Sequence, residues 1–133
     1  MKGASPDLMS IEPGQKTSYE RTFTVEDVSS FAELSGDRGI HHMQPDEKGR
    51  IMVQGLLTAT LPTKLGGDMN YIAGEMQFRF LRPVFVGDTV KCEATVRDVK
   101  QGEGRLELTI DLLCLNQQGK EVLAGWTRGI IRQ

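Results

Sequence analysis

The sequence predicts an α+β domain in which an antiparallel sheet wraps one buried helix. Three observations carry this reading. The stretch MVQGLLTATLPTKL, residues 52 to 65, is apolar on almost every side, which suits a helix in the middle of a fold rather than on its surface. After it the chain runs in four long strand-like segments, separated by short breaks rich in Gly, Asp and Asn. A further alternating run, TSYERTFT, precedes the helix, so five strands can form a sheet with one face turned toward it.

Taken in order, residues 1–16 hold Pro6, Pro13 and Gly14 and read as a loosely attached lead-in to a single domain spanning 1–133. The first strand follows at TSYERTFT. Thr24 then caps a helix, with Asp27 three positions on in a variant of the capping box, and Val25, Val28, Phe31, Ala32 and Leu34 form its apolar face. Gly36 stops this helix. In the central helix Pro62 removes one backbone hydrogen bond, so a kink or an early end is expected there. GGD marks the turn that follows. Strands are expected over residues 69–81, 89–99, 105–115 and 122–131, with VGD, KQGEG and NQQG as hairpin-like separators.

Composition excludes several classes of function. Sixteen basic and eighteen acidic residues, mixed along the chain to a net charge of −2, give no basic face for nucleic acid. No apolar run approaches the roughly 20 residues of a membrane helix, and the N-terminal stretch lacks a signal-peptide core, so a cytoplasmic protein is expected. Cys92 and Cys114, without CxxC spacing, read as buried thiols rather than as a disulfide or a metal pair.

Chemistry concentrates in SGDRGIHHMQP, residues 35–45, which contains both histidines of the chain. Asp37 and His42 stand five residues apart, and a curled loop would bring a carboxylate and an imidazole to one point. Such a pair can take a proton from a water molecule with one group and supply one with the other. The same residues also suit a solvated turn. Adjacent His41 and His42 cannot easily face one ion, and no third ligand stands at a familiar spacing, so no metal is expected. No GxSxG elbow and no GxGxxG loop occurs, which leaves nucleophilic catalysis and nucleotide cofactors unsupported. Gly55, near the start of the central helix, has two readings: a free N–H that holds a developing negative oxygen, or a tight helix–sheet contact.

The segments FTVEDVSSFAELSGD, VQGLLTATL and FRFLRPVFVGDTVKCEATV, in this order, resemble the MaoC-like (R)-specific enoyl-CoA hydratases and hydroxyacyl-thioester dehydratases. The resemblance spans most of the chain and implies the hotdog fold. It also implies that Asp37 and His42 hold a catalytic water and that the Gly55 N–H polarises a thioester carbonyl. By the same resemblance Thr63 falls where relatives carry a site-lining serine, and Ser35, Gly36 and Gln54 lie beside the matched positions. These four are expected on the substrate side. His41 falls on an aliphatic position.

The sequence departs from the family pattern at Gly39, where Asn is usual, at Ile40, where Pro is usual, and at Gln54, where many relatives have His. The loss of Asn-Pro predicts a less rigid turn between Asp37 and His42. The segment from His42 to Gly55 is also shorter than in typical hydratases. The activity implied is reversible hydration of trans-2-enoyl thioesters, carried by CoA or acyl-carrier protein, to (R)-3-hydroxyacyl thioesters, without a cofactor, in a homodimer or dimer of dimers. A non-catalytic acyl-thioester-binding module and a hotdog thioesterase are the alternatives.

Overall fold

The computed structural model describes residues 11–133. Helix α1 (Val25–Ser35) follows strand β1 (Lys16–Thr22); a single turn, α2 (Ile40–Met43), comes next, then α3 (Gly55–Thr58) and α4 (Thr60–Asp68). Strands β2 (Ile72–Phe80), β3 (Thr89–Gly102), β4 (Arg105–Leu115) and β5 (Glu121–Arg132) complete the chain. All strand pairs are antiparallel, in the order β1-β3-β4-β5-β2. One curved sheet therefore wraps α3 and α4, which is the hotdog arrangement.

The period-2 pattern of β4 explains why the sheet takes a helix on one side. Leu106, Leu108, Ile110, Leu112 and Cys114 alternate inward and are buried, and on β3 Val90, Cys92, Ala94 and Val96 do the same. Leu61 and Leu65 of α4 join the core from the helix side, where α4 packs on β1 and β3. Cys92 and Cys114 face each other directly across the β3–β4 ladder as buried free thiols. Their mutual hydrogen bond and their burial push the Cys92 thiol far above the usual range.

Helix α1 starts as its sequence dictates. Asp27 N–H donates to Thr24 Oγ1 at 3.1 Å, and Thr24 N–H donates to Asp27 Oδ2 at 2.9 Å. It ends at Gly36 in the left-handed region (φ 80°), whose N–H donates to Ala32 O. Its expected apolar face is only partly buried: Val28 and Ala32 lie in the core, whereas Val25 is 54% and Leu34 86% exposed. Two inward residues in three turns suffice here because α1 touches the core along a narrow stripe.

The central helix departs from expectation in two ways. Residues 52–54 precede it in extended form, with Met52 paired to Phe85 and Val53 N–H bonded to Val84 O. The break falls at Ala59 rather than at Pro62, because Pro62 has no N–H to offer the carbonyl four residues back, that of Thr58. Pro62 itself sits in the first turn of α4, where no donor is missed.

Three further expectations are corrected. Gly66, Gly67 and Asp68 form the last turn of α4 instead of a loop, and the chain reverses at Met69 and Asn70, the latter at φ 56°, with Tyr71 N–H bonded back to Gly66 O. VGD is not a hairpin, since β2 pairs with β5 and β3 with β1 and β4; it turns at Gly87 and is closed by Phe85 N–H on the Asp88 carboxylate. Within the lead-in, residues 11–15 are attached: Ile11 is buried, Gly14 N–H donates to Val96 O, and Val96 N–H donates to Gln15 O. Residues 1–10 of that segment lie outside the described residues.

Candidate active site

Asp37 leaves α1 just past its glycine stop, and short-range hydrogen bonds shape the loop that follows. Ser35 Oγ donates to Phe31 O at 2.6 Å and accepts from Asp37 N–H at 3.0 Å. Asp37 Oδ1 accepts from Gly39 N–H at 3.3 Å, and His42 N–H donates to Gly39 O at 2.8 Å, which closes the α2 turn. The turn lacking Asn-Pro is thus held by the Ser35 and Asp37 side chains on the backbone and by one backbone bond. Gly39 suits it because a Cβ there would stand 2.9 Å from Cε1 of His41.

This path brings Asp37 and His42 together. His42 Nε2 lies 3.6 Å from Asp37 Oδ2, with the imidazole 6% exposed and the carboxylate 48% exposed. On the other side His42 Nδ1 is 2.7 Å from the carbonyl of Met52, which can only accept, so Nδ1 carries a proton. In the neutral ring Nε2 is then an acceptor beside a second acceptor, the Asp37 carboxylate. Two acceptors at this separation are matched by a molecule with two O–H donors, which water is.

Gly55 opens α3, where first-turn N–H groups have no helical acceptor, and its N–H takes part in no hydrogen bond among the described residues. A cavity of about 330 Å³ is lined by His42, Gly55, Thr58, Phe80 and Arg82 together with Met52 and Val84. The glycine also serves a contact: a Cβ on it would stand 3.1 Å from the ring of Phe80. Both readings of Gly55 thus have a physical basis, and they are compatible.

The other expected residues lie elsewhere. Ser35 and Gly36 form the scaffold behind Asp37. Gln54 is fully buried and reaches backbone carbonyls, not the cavity: its Nε2 donates to Val28 O at 3.0 Å and to Asp37 O at 3.5 Å. Thr63 bonds back to Ala59 O at 3.0 Å and lines a separate apolar cavity of about 280 Å³ with Gly66, Met76 and Phe78. That cavity also holds Tyr71, hydrogen-bonded to Thr127 at 2.8 Å, with burial raising its phenol above the usual range.

Thr58, a helical hydroxyl that the sequence marks for packing or positioning rather than for nucleophilic attack, lies buried one helical turn after Gly55 on the cavity wall. Arg82, which reads in the sequence as a solvated surface charge, also lines this cavity through the packing of residues 80–84 beside α3, and its guanidinium donates to Glu121 O at 2.8 Å. No three His, Cys, Asp or Glu side chains converge as a metal site among the described residues. No helix among them is long and apolar enough to cross a membrane.

A family model for the MaoC like domain matches residues 8–114. The chain belongs to the MaoC-like family. Among its MaoC-like relatives an (R)-specific enoyl-CoA hydratase of Aeromonas caviae is 32% identical over 111 residues, 75% of this chain and 81% of that protein. The solved structure of an (R)-hydratase from A. caviae involved in PHA biosynthesis superposes with a TM-score of 0.82 at 28% identity, covering 93% of this chain and 98% of that one. The unliganded R-hydratase PhaJ1 of Pseudomonas aeruginosa gives a TM-score of 0.81 at 27% identity, covering 94% and 84%. These MaoC-like structures share the sheet-wrapped helix found here.

Proposed function

We propose that the protein adds water reversibly to trans-2-enoyl thioesters, giving (R)-3-hydroxyacyl thioesters. One observation carries this reading: the carbonyl of Met52 fixes His42 with Nε2 toward Asp37, so that two acceptors stand 3.6 Å apart, and His42 of this pair lines the cavity that Gly55 opens onto. In the hydration direction the water oxygen bonds to the β carbon while one member of the pair takes its proton. The π electrons move toward the thioester oxygen, where the Gly55 N–H stabilises the enolate. The α carbon then collects a proton from the pair, so one water is consumed and nothing else enters. No cofactor is needed. The membership of the chain in the MaoC-like family and its similarity to named hydratases support the same chemistry.

The acyl group is delivered by CoA or by an acyl-carrier protein, and the working unit is a homodimer or a dimer of these. Support for pairing lies in β2, an edge strand whose outer backbone groups are unpaired, and in the exposed apolar side chains along it, Ile72, Met76, Phe80 and the following Leu81. The buried free thiols of Cys92 and Cys114 agree with the reducing environment of the cytoplasm, where we place the reaction.

The test mixes purified protein with crotonyl-CoA and longer enoyl-CoA thioesters and follows loss of the conjugated absorbance. Turnover is expected, falling on the order of a hundredfold or more in Asp37→Asn and in His42→Ala, as loss of an acid/base group predicts. Unchanged absorbance at every chain length, with no dehydration of 3-hydroxyacyl thioesters, rejects the proposal. Release of free CoA thiol instead identifies a thioesterase.

A further inference from the structure

Gln54 joins three parts of the site that are remote in sequence. Its Nε2 donates to Val28 O in α1 at 3.0 Å and, at a longer 3.5 Å, to the carbonyl of Asp37 itself. Its own carbonyl accepts from Leu57 and Thr58 N–H at 3.0 and 3.1 Å, which starts α3 one residue before the Gly55 N–H. Through one side chain and one peptide it therefore links the water-holding pair to the proposed oxyanion donor.

The amide cannot be turned round. Two carbonyls face Nε2, so the reversed orientation would set oxygen against oxygen. Gln54 Oε1 is then left buried without a hydrogen-bond partner among the described residues. An unsatisfied buried acceptor works against stability, and a methionine of similar length would avoid it. What methionine lacks is the donor toward Val28 and Asp37.

We propose that Gln54 is a positioning residue: it sets the place of Asp37 and His42 relative to the Gly55 N–H without touching substrate. This rests on the hydratase reading above. Displacement of such a pair by about 1 Å costs on the order of a hundredfold in rate.

The experiment compares the wild-type protein with Gln54→Met and Gln54→His on an enoyl-CoA thioester that the wild type hydrates. Gln54→Met is expected to lower kcat by about ten- to a hundredfold while KM changes by less than about threefold and the thermal midpoint stays level or rises. Gln54→His, which restores an N–H donor at similar reach, is expected to recover most of kcat. An unchanged kcat in Gln54→Met overturns the proposal, as does a kcat that falls with the thermal midpoint and is not recovered by Gln54→His. Backbone amide NMR spectra decide the matter independently of turnover. Signals of residues 36–42 shift in Gln54→Met if Gln54 holds them and stay in place if it does not. Absent wild-type activity would thus remove the hydratase reading, while the spectra would still test the positioning role.

Discussion

Asp27 does two jobs with one carboxylate. It caps the first turn of α1 through Thr24 N–H and holds the Arg21 guanidinium of β1 in a bidentate contact. Burial works against its charge, but the bonds from Arg21 and Thr24 outweigh burial and hold the carboxyl below the usual carboxylate range. The sign follows: a lowered native pKa stabilises the fold above the unfolded value, near pH 4, and this contribution is lost as pH falls through the native value. Asp27→Ala is expected to cost about 1 kcal/mol at neutral pH, the size of a lost cap, with the gap to wild type closing below about pH 4. Urea melts at pH 7 and pH 3 check it. At this scale the capping box, the Gly36 stop and the Asp37–His42 spacing were legible in the sequence. Where the Gln54 amide points was not legible, because a buried amide looks the same in sequence whatever it faces.

Elements were legible where the pattern is local. The alternation of β4 placed its ends at the observed Arg105–Leu115, and Pro62 announced a break in the central helix, though three residues late. What local pattern does not encode is which strand lies beside which. β2 pairs with β5 across a bulge between Ala73 and Glu75, and the two strands approach so closely that a Cβ on Gly125 would stand 1.9 Å from the Gln77 carbonyl oxygen. That collision is with backbone and has no easy relief. Gly125→Ala is therefore expected to destabilise by about 3 kcal/mol, lowering the thermal midpoint on the order of 10 °C, as calorimetry would show. A change of only a degree or two would mean that β2 is free to move away from β5.

At the scale of the whole molecule, exposed apolar side chains flank the open edge of β2, and the candidate site lies beside them: Phe80 packs on Gly55 and lines the cavity with His42. Pairing of two chains along this edge would bring a second chain against these side chains and extend the sheet. Sedimentation is expected to give two or four times the 14.8 kDa chain mass, and the double variant Ile72→Lys, Met76→Lys is expected to sediment as one chain. A stable dimer that survives both charges would place the interface elsewhere.

Local pattern was enough for the capped first helix, the inward stripe of β4 and the aspartate–histidine spacing, because each rests on residues within a few positions of one another, and the order of such patterns along the chain implied the α+β class. Strand order, the separation of Thr63 from His42 and Gly55, and the placement of Gln54 came from the packed fold. Gln54 reaches Val28 and Asp37, which lie 26 and 17 residues away along the chain. Contacts at that distance are set by how the sheet curls around the helix, a property of all its strands together, and no local period records it.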